Sequence, residues 1–124
     1  MDWTRHPIPH DPAVIDLTYV AGPMSLVGPP TWNYPAFMEM AEKLRGAGYE
    51  VINPADLHEP SEDLPHDWYL RRDLAQLVKC NRIVLLENHH MSKGARLERH
   101  VAIELGMEVI HPHQHEKLFN AQGQ

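Results

Sequence analysis

Apolar residues recur with two different periods along this chain, and each change of period marks the edge of an element. Asp16 to Ala21 (DLTYVA) reads as a short strand closed by Gly22-Pro23, and Met24 to Thr31 is a loop dense in glycine and proline. From Pro35 the period turns helical, with Phe37, Met40, Ala41 and Leu44 on one face and Gly46 and Gly48 ending the run. Tyr49 to Ile52 is a second strand that stops at Asn53-Pro54, and Ala55 to Pro65 is an acidic, proline-punctuated loop. A second helix starts at about Asp67 and offers Leu70, Leu74, Leu77 and Val78 as its buried stripe. Arg82 to Leu86 (RIVLL) is a continuous apolar run of the kind found in buried parallel strands. The third helix spans Gly94 to Leu105, with Ala95, Glu98, Val101, Ala102 and Leu105 at three- and four-residue spacing and Arg96, Arg99, His100 and Glu104 on other faces. Glu108 to Ile110 is a short fourth strand, and from His111 the chain is a polar tail with room for a helical turn.

Strands alternating with helices predict an α/β, Rossmann- or flavodoxin-like three-layer sandwich with a four- to five-stranded parallel sheet. Residues 1–16, polar and proline-rich, read as an extended N-terminal arm, and 17–124 as a single domain. With strand order 2-1-3-4, a ligand crevice opens beyond the first and third strands. The loops there are Gly22-Pro23-Met24 and Glu87 to Lys93, the second leading straight into the third helix.

Composition narrows the ligand. A formal charge of -6 over 124 residues argues against nucleic acid or an anionic membrane as partner and leaves a small molecule as the expectation. The single cysteine, Cys80, excludes an intrachain disulfide and a thiolate metal cluster, and it fits a reducing cytoplasm and a place in the core. No apolar run resembles a signal peptide or a membrane span. His89-His90 and His111-Pro112-His113-Gln114-His115 invite a zinc reading, but no Cys, Asp or paired-His helix motif completes a site, so neither metal nor cofactor is expected. His89 or His90 is positioned by its loop to line the pocket, and Trp32 and Trp68 are candidates for stacking on a ring.

Glu98 interrupts the apolar stripe of the third helix close to the helix start. An isolated glutamate of that kind usually reaches solvent or pairs with a base, whereas one buried beside a helix N-terminus is more often a chemical tool. The ordered set Tyr19-Val20-Ala21-Gly22-Pro23-Met24, Asn33-Tyr34-Pro35-Ala36-Phe37, Asn53-Pro54-Ala55, Asp73 and Ser92-Lys93-Gly94-Ala95-Arg96-Leu97-Glu98 covers Leu17 to Ile110. It resembles the nucleoside 2-deoxyribosyltransferase superfamily, and within it a small phage- and bacteria-associated DUF4406-type group similar to 2′-deoxynucleoside 5′-phosphate N-hydrolases.

That resemblance implies that Glu98 is the nucleophile on the anomeric carbon, that Asp73 contacts the sugar or helps protonate the base, and that the Tyr19 hydroxyl holds Glu98 in place. It places Ala21, Gly22, Pro23, Met24, Asn33, Ser92, Lys93 and Gly94 at the substrate, where Gly22 lets backbone approach a ligand. Members that take free nucleosides usually carry aspartate where this chain has Ser92, so serine, with Lys93, the helix start and Arg96 one turn on, implies a 5′-phosphate; Ser92 also suits a helix cap. The expected activity is hydrolysis of a (2′-deoxy)nucleoside 5′-monophosphate. A transferase moving the sugar to a second base is the alternative within the same chemistry, and a non-catalytic nucleotide sensor is the alternative from another class. Family members complete their sites with a neighbour's residues, so a homo-oligomer is expected, with the tail around His113 to Asn120 or the arm before Asp16 as the contributing segment.

Overall fold

Strand β1 (Leu17–Ala21) pairs in parallel with β2 (Glu50–Ile52) on one side and β3 (Arg82–Leu85) on the other, and β3 pairs with β4 (Glu108–Ile110). The sheet order is therefore β2-β1-β3-β4, and the α/β architecture is the expected one, with four strands among the described residues. The computed structural model describes residues 16–24, 26–57 and 64–120. The expected N-terminal arm, apart from Asp16, lies outside them, as do 58–63 of the acidic loop and the last four residues.

Strand parity divides the core. Val20 and Val84 point to one face, where α1 (Tyr34–Gly46) packs Phe37, Met40 and Leu44 on them and Leu118 of α4 (Glu116–Asn120) closes the layer. Tyr19, Ala21, Ile83 and Leu85 point to the other, under Leu77 of α2 (His66–Leu77) and Ala102 of α3 (Lys93–Glu104). Being covered on both sides is why the central strands carry continuous apolar runs. Helix α1 ends where Gly48 adopts a φ of 98°, which lets the Tyr49 amide bond back to Leu44 O at 3.0 Å and turns the chain into β2. Cys80 is buried in the α2/α3 layer, where burial pushes its thiol up to about 12.

Two stripe positions differ from the expectation. Val78 is 48% exposed and Leu105 is 51% exposed, because each falls just past the end of its helix, where no neighbouring element covers it. On α2 the fully buried positions are Asp73 and Leu77, with Leu70 and Leu74 only half covered. The tail is more ordered than its polarity implies. His115 Nε2 meets Leu85 O at 2.8 Å, Tyr49 donates its hydroxyl to Leu118 O at 2.7 Å, and Leu118 is 4% exposed.

At the N-terminal ends of the strands, Arg82 ties the sheet together, donating Nε to Glu108 (2.7 Å), Nη1 to Thr18 (2.8 Å) and Nη2 to Asp16 (3.2 Å). The opposite, C-terminal ends are where loops leave the sheet. Among the described residues no helix is long and apolar enough to cross a membrane.

Candidate functional site

β1 and β3 end level with each other, Ala21 opposite Leu85, and the chains then diverge into the two loops that frame a cavity of about 290 Å³. Gly22 begins the first loop and lines the cavity. A Cβ at Gly22 would stand 2.8 Å from Leu86 Cβ, so the glycine is required by packing against the end of β3 as well as being open to a ligand. Gly94, also in the wall, has only ordinary contacts where its Cβ would be, at 3.8 Å from Leu70 Cδ1.

Glu98 is 6% exposed and stands in the cavity wall. The parity that sends Tyr19 to the α2/α3 face brings its hydroxyl under α3, where it donates to Glu98 Oε2 at 2.5 Å. Burial pushes the Glu98 carboxyl from 4.5 to about 8, with the nearby Asp73 adding to the rise and the Tyr19 bond opposing it. The Tyr19 phenol is raised well above its ordinary value, first by burial and then by Glu98 and Asp73, so it stays a donor.

Asp73 projects into the same wall from α2. Its Oδ1 accepts from Arg72 Nε at 3.0 Å and from Arg72 Nη2 at 2.7 Å, an ion pair with the immediate neighbour. Burial still raises the Asp73 carboxyl above its ordinary value, against the lowering pull of Arg72 and His66. Ser92 is the N-cap of α3, its Oγ accepting from the Ala95 amide at 3.2 Å, and it lines the cavity as well.

Of the residues the sequence pointed to, Glu98, Asp73, Gly22, Met24, Ser92 and Gly94 converge on the cavity, with Trp32 beside them. Tyr19 reaches the site through Glu98. Ala21 belongs to the α2/α3 core, and Pro23, within the first loop, is buried and is not a wall residue. Asn33 donates Nδ2 to Pro23 O at 2.9 Å and so fastens the start of α1 to that loop from outside the wall. Lys93 is exposed at the helix start and Arg96 lies on the exposed side of α3, with Nη1 directed at His90 O at 3.4 Å.

Trp68 is 41% exposed and packs edge-on to Tyr69 rather than entering the wall. His89 and His90 also stand outside it: the His89 ring lies 5.7 Å from that of His90 and 6.1 Å from that of His111, and burial followed by the two histidines and Arg99 lowers its pKa. Among the described residues no three His, Cys, Asp or Glu side chains are grouped to hold a metal ion.

The structure adds Tyr34, His66, Tyr69, Leu70 and Arg72 to the wall. Four positions on α2 follow a helical rule: 66, 69, 70 and 73 are one face, and placing Asp73 at the site was enough to implicate the rest. Arg72 is outside that rule and carried no signal beyond adjacency to Asp73.

No curated protein sequence matches this chain. A family model does, over residues 16–111, described as Domain of unknown function (DUF4406). The match runs from the start of β1 past β4 and takes in every wall residue of the cavity, and the chain belongs to the DUF4406 family.

Proposed function

We propose that this protein hydrolyses the N-glycosidic bond of a 2′-deoxynucleoside 5′-monophosphate with Glu98 as nucleophile, in the manner of the nucleoside 2-deoxyribosyltransferases that its motifs resemble. One observation carries the reading: a buried glutamate stands in the wall of a cavity at the strand ends and is bonded to a phenol. Structural glutamates in apolar surroundings are normally neutralised by a cation, and among the described residues none forms an ion pair with Glu98.

In its ionised form, a Glu98 oxygen bonds to C1′ as the C1′–N bond breaks and its electron pair leaves with the base. Water then attacks C1′, the glutamate leaves as carboxylate, and the water's proton passes to the base. Asp73 serves this sequence from the opposite helix, holding the sugar or relaying that proton. The 5′-phosphate is received by Ser92 and the amides of the first turn of α3, where the helix dipole favours an anion.

The test is incubation with a panel of nucleotides and measurement of free base by chromatography. Glu98→Gln should bind the same nucleotide and lose nearly all turnover, and a slow 2-fluoro-substituted substrate should leave one sugar phosphate on the peptide containing Glu98. Ser92→Asp should weaken nucleotide binding at least tenfold more than nucleoside binding, since the new charge faces the phosphate. Binding without release of base would make the protein a nucleotide sensor. A new nucleoside formed when a second base is added would make it a transferase.

A further inference from the structure

Arg72 and Arg82 are both largely buried, at 18% and 15% side-chain exposure, and they differ in what their nitrogens meet. Arg82 directs all three nitrogens to protein partners, as described above. Arg72 directs Nε and Nη2 to a single oxygen of Asp73, with Nη2 also 3.5 Å from Pro54 O, and its Nη1 is buried with no hydrogen-bond partner among the described residues.

A guanidinium has five N–H donors and no acceptor, and leaving buried donors dry is unfavourable because they have given up water without replacement. The group is also held in place. Its carbon lies 5.7 Å from the centre of the Trp68 ring and 5.5 Å from that of Tyr69, while Asp73 fixes one edge. Arg72, a residue of the cavity wall, thus carries at Nη1 a buried pair of donors that lacks an acceptor, beside Asp73 of the same wall.

We infer that Arg72 reads the leaving base, its Nη1 donating to an exocyclic carbonyl oxygen, so that oxo-bases are the substrate class and amino-bases are disfavoured. An amino group would set donor against donor, whereas a carbonyl accepts. The inference rests on the hydrolase reading and adds chemistry to it. As the C1′–N bond breaks, the departing electron pair spreads into the carbonyl oxygen of an oxo-base, and a fixed N–H there stabilises the charge as it develops. The proton the base lacks arrives later from the water that hydrolyses the glycosyl ester.

Two matched pairs test this, because within each a carbonyl and its neighbouring ring N–H stand in place of an amino group and a ring acceptor: 2′-deoxyinosine against 2′-deoxyadenosine 5′-monophosphate at position 6, and 2′-deoxyuridine against 2′-deoxycytidine 5′-monophosphate at position 4, the last two sharing the carbonyl at position 2. Binding is measured calorimetrically on Glu98→Gln and cleavage on the unmutated protein. In at least one pair the oxo member should be preferred by roughly 10- to 100-fold in affinity or kcat/KM, the range for one charged hydrogen bond made against one lost. Arg72→Gln should abolish the preference. Arg72→Lys, which keeps a cation beside Asp73 and so guards against misfolding, should bind nucleotide and lose the preference too. Equal treatment within both pairs, or a preference that survives both substitutions, overturns the inference. Cleavage without preference removes it and leaves the hydrolase reading standing. Preference in binding without cleavage does the reverse, and failure of all four nucleotides to bind removes both.

Discussion

Burial favours the protonated form of Glu98, whereas the proposed reaction needs its carboxylate. With its pKa pushed to about 8 by burial, only about a tenth of the molecules carry the carboxylate at pH 7. The kcat/KM of the unmutated protein should therefore climb about tenfold per pH unit below 8 and level off above it. Tyr19 is the influence that pulls the value down, so Tyr19→Phe should move the rising limb to higher pH in a pH–rate profile, and an unmoved limb would leave Tyr19 a packing residue. The same proton couples to stability. The folded chain keeps it up to about pH 8 and the unfolded chain releases it near 4.5, so folding is favoured at low pH and this contribution is lost as pH rises through 8. Glu98→Gln, which cannot ionise, escapes that loss, and its advantage in melting temperature over the unmutated protein should widen between pH 5 and pH 9.

At the scale of elements, the pattern of apolar residues was enough to place the strands and three long helices, because covered central strands and half-covered helices have different periods. It was not enough to say which apolar residues are covered. Val78 and Leu105 carry the right spacing and lie in solvent, since cover depends on a neighbouring element that spacing does not encode. Leu118 shows the converse, a buried anchor inside a segment whose composition reads as a tail. In the site, Glu98 was legible as a breach of an apolar stripe, but Arg72 was not, since a charged helical residue is exposed by default. Gly22 was legible for only one of its two reasons. Because a Cβ there would meet Leu86 Cβ at 2.8 Å, an atom no truncation to alanine removes, Gly22→Ala should lower stability by about 1–3 kcal/mol by overpacking. Chemical denaturation measures this directly, and an unchanged midpoint would mean that the β1 loop yields freely.

For the whole molecule, the question is what covers the mouth of the cavity. Leu26 and Val27, 53% and 50% exposed, follow Met24 of the wall; Met91, 56% exposed, precedes Ser92; and Leu64 is itself a wall residue at 36%. Exposed apolar side chains next in sequence to wall residues are candidates for a surface that meets another protein. The edge strands β2 and β4 have three residues each, too short to recruit a neighbour by sheet extension. The tail around Leu118 is already committed to its own sheet through Tyr49, Leu85 and the core, which weakens it as the segment lent to another chain. The loop after β1 and the turn before α3 are then the surfaces expected to meet a second copy about a two-fold axis, each chain capping the other's cavity. Light scattering at micromolar concentration should give the mass of two chains. Leu26→Glu with Val27→Glu should shift it toward one chain, and if the partner's loop completes the site, kcat/KM should fall with the dimer fraction on dilution. A single-chain mass with full activity at every concentration would mean that each cavity works alone and that its apolar rim meets substrate instead.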